Sequence, residues 1–284
     1  TYDGRYTPPT TKGSIIYPGN FGTFNWGGVA VDPDRQVMFA MPVYLAFTSK
    51  LVPRPDAYAR VISKDGQDVF NENFGAPYAA KMGAFLPPLG LPCQSPPWGY
   101  IAGVDLTNGQ IVYKHVNGTV RDLSPVPVPF KMGVPGIGGP IITQGGVAFL
   151  SGTLDYYIRG YDLKTGAEIW RDRLPAGGQA TPSTYKGADG RQYLVVVAGG
   201  HGSTGTEAGD SIIAMWPASG TMTNCDSGSE SAIVLDLATG VTRSAAPQMT
   251  STGTPAKAGS EAVSSKVSRA GGKAAIPSTG VSLS

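Results

Sequence analysis

Short alternations of apolar and polar residues, broken by turn residues, run along most of the chain. Residues 155–161 are rich in aromatic and β-branched side chains, as strands are. Residues 162–166 (DLKTG) have the composition of a turn, and residues 167–170 are predicted to form a short second strand that ends in Trp170. The pattern predicts a strand–turn–strand hairpin. A single hairpin cannot bury its own apolar face, so we expect it to be one unit of a repeated sheet structure.

The same pattern occurs upstream. The sequence GVDLTNGQIVY at 103–113 aligns with GYDLKTGAEIW at 160–170, although Tyr113 stands where the other copy has a tryptophan. A recurring unit of this kind predicts a β-propeller, whose blades typically contain about 40–50 residues. Residues 233–240 are a weaker copy without a closing aromatic residue, and we attribute that match to chance. Further strands are predicted at 14–17, 26–31, 36–41, 145–150, 192–198 and 211–216.

Two stretches depart from this pattern. Eight prolines between residues 45 and 97 predict a segment without long strands or helices. Residues 218–284 contain no Phe, Tyr or Trp, so they cannot bury enough apolar area to offset their ordering entropy. We therefore divide the chain into a β-rich part, residues 1–217, and a low-complexity tail, residues 218–284. We expect the tail to be mostly disordered, with 231–240 as its one candidate for order.

Composition narrows the class of function. Charged residues make up 15% of the chain and the net charge is +2, so the composition gives no sign of the basic surface that binds nucleic acid. Cys93 and Cys225 lie far apart and no Cys/His cluster accompanies them, so neither a disulfide framework nor a zinc site is indicated. No apolar run approaches the ~20 residues of a membrane-spanning helix. Because the chain begins at Thr1 rather than at a methionine, we expect it to be the C-terminal part of a longer protein.

Two short motifs are rejected as functional signals. GHGSTG at 200–205 satisfies the glycine pattern of a dinucleotide-binding turn, but a strand rather than a helix is predicted to follow it. NGT at 117–119 fits a glycosylation acceptor, and a three-residue motif of this kind often arises by chance.

Several longer strings resemble the membrane-bound quinoprotein dehydrogenases of the glucose/quinate/shikimate group, and they are most similar to its glucose-oxidising members. The resemblance covers about residues 1–217 and implies an all-β fold, a partial eight-bladed β-propeller with tryptophan docking motifs, of which this chain supplies the last blades. DLKTGAEIW matches a docking motif well, whereas the copy ending in Tyr113 is degenerate. The strings, in order, are FNWGGVAVDP, GLPCQSPPWGYI, VPGIGGP, SGTLDYYIRGYD, LPAGGQATP and VVAGGHGS.

The resemblance implies a dehydrogenase that uses pyrroloquinoline quinone (PQQ) together with Ca2+ or Mg2+. Such an enzyme oxidises an aldose, D-glucose to gluconolactone, and passes electrons to ubiquinone at the periplasmic face of the bacterial inner membrane. Its N-terminal membrane helices and its catalytic aspartate and lysine belong to parts outside this chain, so we expect no catalytic residue here and no activity from the chain alone. Alternatives are a quinate, shikimate or polyol dehydrogenase, or a cofactor-free propeller scaffold of the kind found in outer-membrane assembly.

Three residues are candidates for the site by the same resemblance. Asp155 matches an acidic residue that helps to hold PQQ and its metal, and a carboxylate is a suitable ligand for Ca2+ or Mg2+. His201, between glycines, matches a histidine close to the quinone, and Asn20 matches an asparagine whose amide faces the active site. Without the resemblance they are a turn aspartate, a solvated histidine and a turn asparagine. We expect Trp26 and Trp98 to be core or loop-packing residues rather than residues that stack on a quinone, and His115 to be structural.

Overall fold

Antiparallel β-strands account for almost all of the regular structure in the computed structural model, which describes residues 1–63, 70–88, 90–216, 231–236 and 242–245. Two short 3-10 turns, Phe70–Glu72 and Gly202–Thr204, complete it. The strands are β1 (Ser14–Ile16), β2 (Val29–Asp32), β3 (Val37–Ala40), β4 (Phe47–Pro53), β5 (Tyr78–Ala84), β6 (Tyr100–Asp105), β7 (Gln110–Val116), β8 (Ile141–Ile142), β9 (Val147–Leu150), β10 (Tyr157–Asp162), β11 (Glu168–Arg173), β12 (Ser183–Lys186), β13 (Gln192–Ala198), β14 (Ser211–Trp216), β15 (Ser231–Asp236) and β16 (Thr242–Ala245).

The strands form four antiparallel sheets within the described residues. Sheet 1 has the order β1-β4-β5, sheet 2 the order β2-β3-β6-β7, sheet 3 the order β11-β10-β9-β8, and sheet 4 the order β12-β13-β14-β15-β16. Sheets 2 and 3 are four-stranded units, as expected of propeller blades. The predicted hairpins β2–β3, β6–β7 and β10–β11 are confirmed, each paired antiparallel across its turn.

The prediction of a segment without long strands between residues 45 and 97 is wrong. This segment holds β4 and β5, which are seven residues each and pair along their full length. The prolines do not prevent this because they lie where the strands end or begin. Pro53 is the last residue of β4, and Pro77 directly precedes β5. The position of a proline within a segment, rather than the number of prolines, decides whether a strand forms.

The weak third copy of the hairpin also proves to be structural. β15 pairs with β14 on one side and with β16 on the other, so this copy has the strand arrangement of the other two. The physical reason is the free edge of β14, whose unpaired backbone groups form a template for a further strand. The turn of this copy and the rest of the tail lie outside the described residues. The expected disorder of the tail therefore stays a prediction.

Neighbouring sheets pack through apolar side chains. One cluster joins sheets 3 and 4 and includes Phe149, Ile158, Leu194 and Ile213, all at most 3% exposed. A second cluster joins sheets 2 and 3. There the side chain of Tyr113 lies against Gly166 in the turn of sheet 3, and its hydroxyl donates to the carbonyl oxygen of Leu163 at 2.9 Å. Tyr113 thus makes the inter-sheet contact expected of a docking residue although it is not a tryptophan.

A buried glycine-rich segment, residues 133–140, runs between the sheets. A Cβ atom added to Gly136 would lie 1.9 Å from the carbonyl oxygen of Gly152, and one added to Gly27 would lie 2.2 Å from the backbone nitrogen of Gly139. Only glycine permits main chains to approach this closely. The contact between Gly136 and Gly152 fixes the chain just before Asp155, the first candidate residue of the site.

Candidate functional site

Asp155 lies in the turn between β9 and β10, and its side chain is 0% exposed. The Thr119 backbone N–H and hydroxyl donate to Oδ2 at 2.7 and 3.1 Å, and the Thr153 hydroxyl donates to Oδ1 at 2.7 Å. The Arg159 guanidinium donates from Nη1 to Oδ1 at 3.0 Å and from Nη2 to Oδ2. Both carboxylate oxygens are therefore bonded to donors of the protein itself.

These bonds determine the charge of Asp155 and its capacity for ligands. Burial raises the pKa of this carboxyl, but the adjacent Arg159 guanidinium and the hydrogen bonds from Thr153 and Thr119 outweigh that effect and hold the pKa below its ordinary value. A carboxylate offers about four lone-pair positions, and the bonds already made occupy them. In this arrangement Asp155 does not fit the predicted role of a metal ligand. Within the described parts of the chain, no group of three or more His, Cys, Asp or Glu side chains is placed to hold a metal ion.

The polar network continues behind Asp155. The Nε atom of Arg159 lies 3.5 Å from Glu168, and the buried Tyr161 hydroxyl donates to Oδ1 of Asn117 at 2.5 Å. Asn117 is 1% exposed, and its Nδ2 atom has no hydrogen-bond partner in the described structure. The residue is thus buried, in agreement with the rejection of the 117–119 motif as a glycosylation acceptor.

His201 lies in the loop between β13 and β14 and is exposed. Its Nδ1 atom accepts a hydrogen bond from the Ser203 backbone N–H at 3.3 Å and lies 2.8 Å from the Ser203 hydroxyl. Because Nδ1 accepts, the neutral imidazole carries its proton on Nε2. The backbone N–H of His201 donates to the Thr206 hydroxyl at 2.8 Å. The loop thus fixes the ring and leaves the Nε2–H group as a donor to solvent or to a ligand.

The structure brings the His201 loop and the Asp155 turn together through a hydrogen bond between a backbone N–H of the loop and a side chain of the turn. The Glu207 backbone N–H donates to the hydroxyl of Tyr156, the residue after Asp155, at 2.7 Å. Gly177 connects both ends of the loop, because it accepts from the Gly200 N–H at 2.8 Å and donates to the Glu207 carbonyl at 3.3 Å. The two candidate residues therefore belong to adjoining segments. Their side chains make no hydrogen bond with each other among the described residues.

Asn20 is not joined to this site by any described contact. It is exposed and follows β1, and the neighbouring Gly19 N–H donates to the carbonyl oxygen of Leu45 beside sheet 1. Its role at the active site stays a prediction.

The other residues singled out from the sequence divide into confirmed and wrong predictions. Trp98 is 2% exposed and its indole N–H donates to the Gln94 carbonyl at 2.9 Å, as expected of a packed residue. Trp26 is 60% exposed, so the prediction that it packs in the core or against a loop is wrong. His115 stacks on Tyr113 and bonds to the Thr165 carbonyl at 3.0 Å, which agrees with a structural role.

Sequence reasoning missed the partners of Asp155. Arg159 is 1% exposed on β10, where it stands between Ile158 and Gly160, both of which are buried. A charged residue inside such an apolar strand requires a buried counter-ion, and this signal was present in the sequence. Thr119 gave no comparable signal, because it reaches Asp155 across 36 positions of the chain.

Four-stranded antiparallel sheets that pack side by side through apolar side chains are the blades of a β-propeller, here a partial one. The chain belongs to the PQQ family described as the glucose/ethanol/alcohol dehydrogenase β-propeller domain, which matches residues 1–194. Within the described residues, no helix has the length and hydrophobicity needed to cross a bilayer.

Curated relatives are similar over most of the chain. A quinoprotein glucose dehydrogenase of Gluconobacter oxydans is 49% identical over 230 residues, which cover 75% of this chain and 28% of the relative. A quinoprotein glucose dehydrogenase of Escherichia coli is 47% identical over 222 residues, with the same coverage of 75% and 28%. A probable quinate dehydrogenase (quinone) of Xanthomonas campestris is 39% identical over 224 residues, again with 75% and 28% coverage. The chain thus spans little more than a quarter of the length of these relatives.

Proposed function

We propose that this chain is part of a PQQ-dependent dehydrogenase that oxidises an aldose, D-glucose to gluconolactone, and passes electrons to ubiquinone at the periplasmic face of the inner membrane. The observation that carries the proposal is the order of the identities. The sequence identity is 49% and 47% to the two glucose dehydrogenases and 39% to the quinate enzyme. Quinate, shikimate or another polyol is the alternative substrate within the same family, and the 39% relative supports it.

The His201 loop is the part of the chain that suits a flat quinone. When bound, PQQ supplies a quinone that accepts the two electrons of the alcohol. Gly202, directly after His201, leaves room for a planar ligand to approach the backbone, because a Cβ atom added there would meet nothing within 4 Å. Gly200, on the other side, is packed against the Glu207 carbonyl. The Nε2–H group of His201 donates a hydrogen bond to an oxygen of the cofactor or the sugar. Asn20 is proposed as a second amide donor on the substrate side.

Asp155 has a different role in this proposal. Its oxygens are occupied by Thr119, Thr153 and Arg159, so it holds the turn in place rather than contacting a cation. The ligands of the proposed Ca2+ or Mg2+ are then residues other than Asp155. The general base is likewise proposed to lie outside this chain, so we expect the chain alone to be inactive.

The test uses the full-length protein that contains this chain. Purified protein is incubated with PQQ and Ca2+ or Mg2+, and dye reduction is measured with glucose, quinate and glycerol. We expect the highest kcat/KM for glucose and a PQQ-dependent absorption band. Faster oxidation of quinate would favour the alternative substrate. The absence of both the band and any dye reduction would instead favour a cofactor-free scaffold.

A further inference from the structure

We propose that Tyr156 is a positioning residue whose hydroxyl ties the His201 loop, residues 199–209, to the Asp155 turn. The contacts that Tyr156 makes with Glu207, Leu174 and Arg173 are all formed within the chain and involve no ligand. The inference rests on the proposed function only where it gives His201 a role at the cofactor.

The backbone of Tyr156 is held in an unfavourable conformation. Its φ is 54°, in the left-handed region that residues other than glycine seldom adopt. Such a conformation persists only where the surroundings fix it, and such residues cluster at functional sites. The Leu174 N–H donates to the Tyr156 carbonyl at 2.8 Å, and Nη1 of Arg173 donates to the Asp155 carbonyl at 2.6 Å. The peptide groups on both sides of the turn are therefore fixed.

The direction of the Tyr156 ring is also fixed. The guanidinium carbon of Arg173 lies 5.4 Å from the centre of the ring, a cation–π contact. Arg173 is itself held by Asp122, which accepts from Nη1 at 2.6 Å and also from Nη2. The hydroxyl thus has a defined position relative to the Asp155 turn.

Two hydrogen bonds connect the Tyr156 hydroxyl to the backbone of His201. The Tyr156 hydroxyl accepts from the Glu207 N–H at 2.7 Å, and the adjacent Thr206 hydroxyl accepts from the His201 N–H at 2.8 Å. A side chain of the Asp155 turn is therefore connected through two residues of the loop to the backbone of His201. Loss of the first bond is expected to loosen Thr206 and Glu207 and, with them, the imidazole.

The substitution Tyr156→Phe tests this directly, because it removes the hydroxyl and keeps the ring. We expect hydrogen exchange of the Glu207 amide to become about fivefold faster, as for the loss of one ordinary hydrogen bond. We also expect the ring signals of His201 to move in NMR spectra of the full chain. The chain contains two histidines, so His115, which stacks on Tyr113, serves as the internal reference.

Tyr157→Phe is the matched control. Its hydroxyl accepts from Nη1 of Arg121 at 2.9 Å and makes no described bond to the loop. This variant should leave the exchange of Glu207 and the signals of His201 unchanged. The inference is overturned if Tyr156→Phe moves neither observable, if it moves the signals of His115 as much as those of His201, or if Tyr157→Phe has the same effect. None of these measurements needs PQQ, so their failure is distinct from failure of the dehydrogenase assay.

Discussion

The family resemblance assigns Asp155 and His201 to the same quinone cofactor, yet the two side chains lie in opposite physical environments. Asp155 is fully buried and bonded to donors on three residues, whereas His201 is exposed on a loop and leaves Nε2–H unbonded within the described structure. A buried group with all its oxygens occupied stabilises the backbone around it. An exposed group with a fixed tautomer is available to a ligand. Substitutions at the two positions should therefore affect different properties of the protein.

The largest effect is expected from Asp155→Asn. The change removes the nearer of the two carboxylates beside the buried Arg159 guanidinium and leaves only Glu168, 3.5 Å from Nε, so the free energy of unfolding should fall by about 3 kcal/mol. Urea unfolding of the chain measures this. Asp32→Asn, which disrupts the pair with the half-exposed Arg35 in the turn of sheet 2, is the control and should lower the free energy of unfolding by a clearly smaller amount. Equal losses in the two variants would mean that the Asp155 turn has no special structural role.

The pH dependence of the unfolding free energy should also report the contribution of Asp155 to stability. Burial raises the pKa of Asp155, but Arg159 and the hydrogen bonds hold it below the ordinary value of 3.8. A lowered folded-state pKa gives a stabilisation that is complete above about pH 4 and is lost as the pH falls through the folded-state value. The difference in unfolding free energy between the wild type and Asp155→Asn should be constant from about pH 5 to 7 and should shrink below about pH 4. Shrinkage towards neutral pH would contradict this account.

The smallest change in stability is expected from His201→Asn. The residue is exposed, and an asparagine at this N-cap position can still accept from the Ser203 N–H, so the unfolding free energy should change by less than about 0.5 kcal/mol. In the full-length protein, the apparent dissociation constant for PQQ should rise by about fivefold, as for the loss of one hydrogen bond. A variant that loses stability but binds PQQ normally would reverse the distinction between the two residues.

The sequence predicts local features of this chain better than distant ones. The hairpins β2–β3 and β6–β7 follow from alternation and turn residues that are close together in the chain. β4 and β5 are missed because the number of prolines in their segment does not show that Pro53 and Pro77 lie at strand ends. The copy that contains β15 resembles a chance match because its pairing partner lies beyond a segment that gives no strand signal. The resemblance finds Asp155, but its bond with Thr119 depends on how sheets 2 and 3 pack, which no local pattern encodes.

The glycine contact at Gly136 and Gly152 has a consequence for how this protein can diverge. The two main chains lie so close there that even alanine, with one added methyl group, would force them to move apart. Neither position can therefore accept a larger residue unless the main chain that leads to Asp155 shifts.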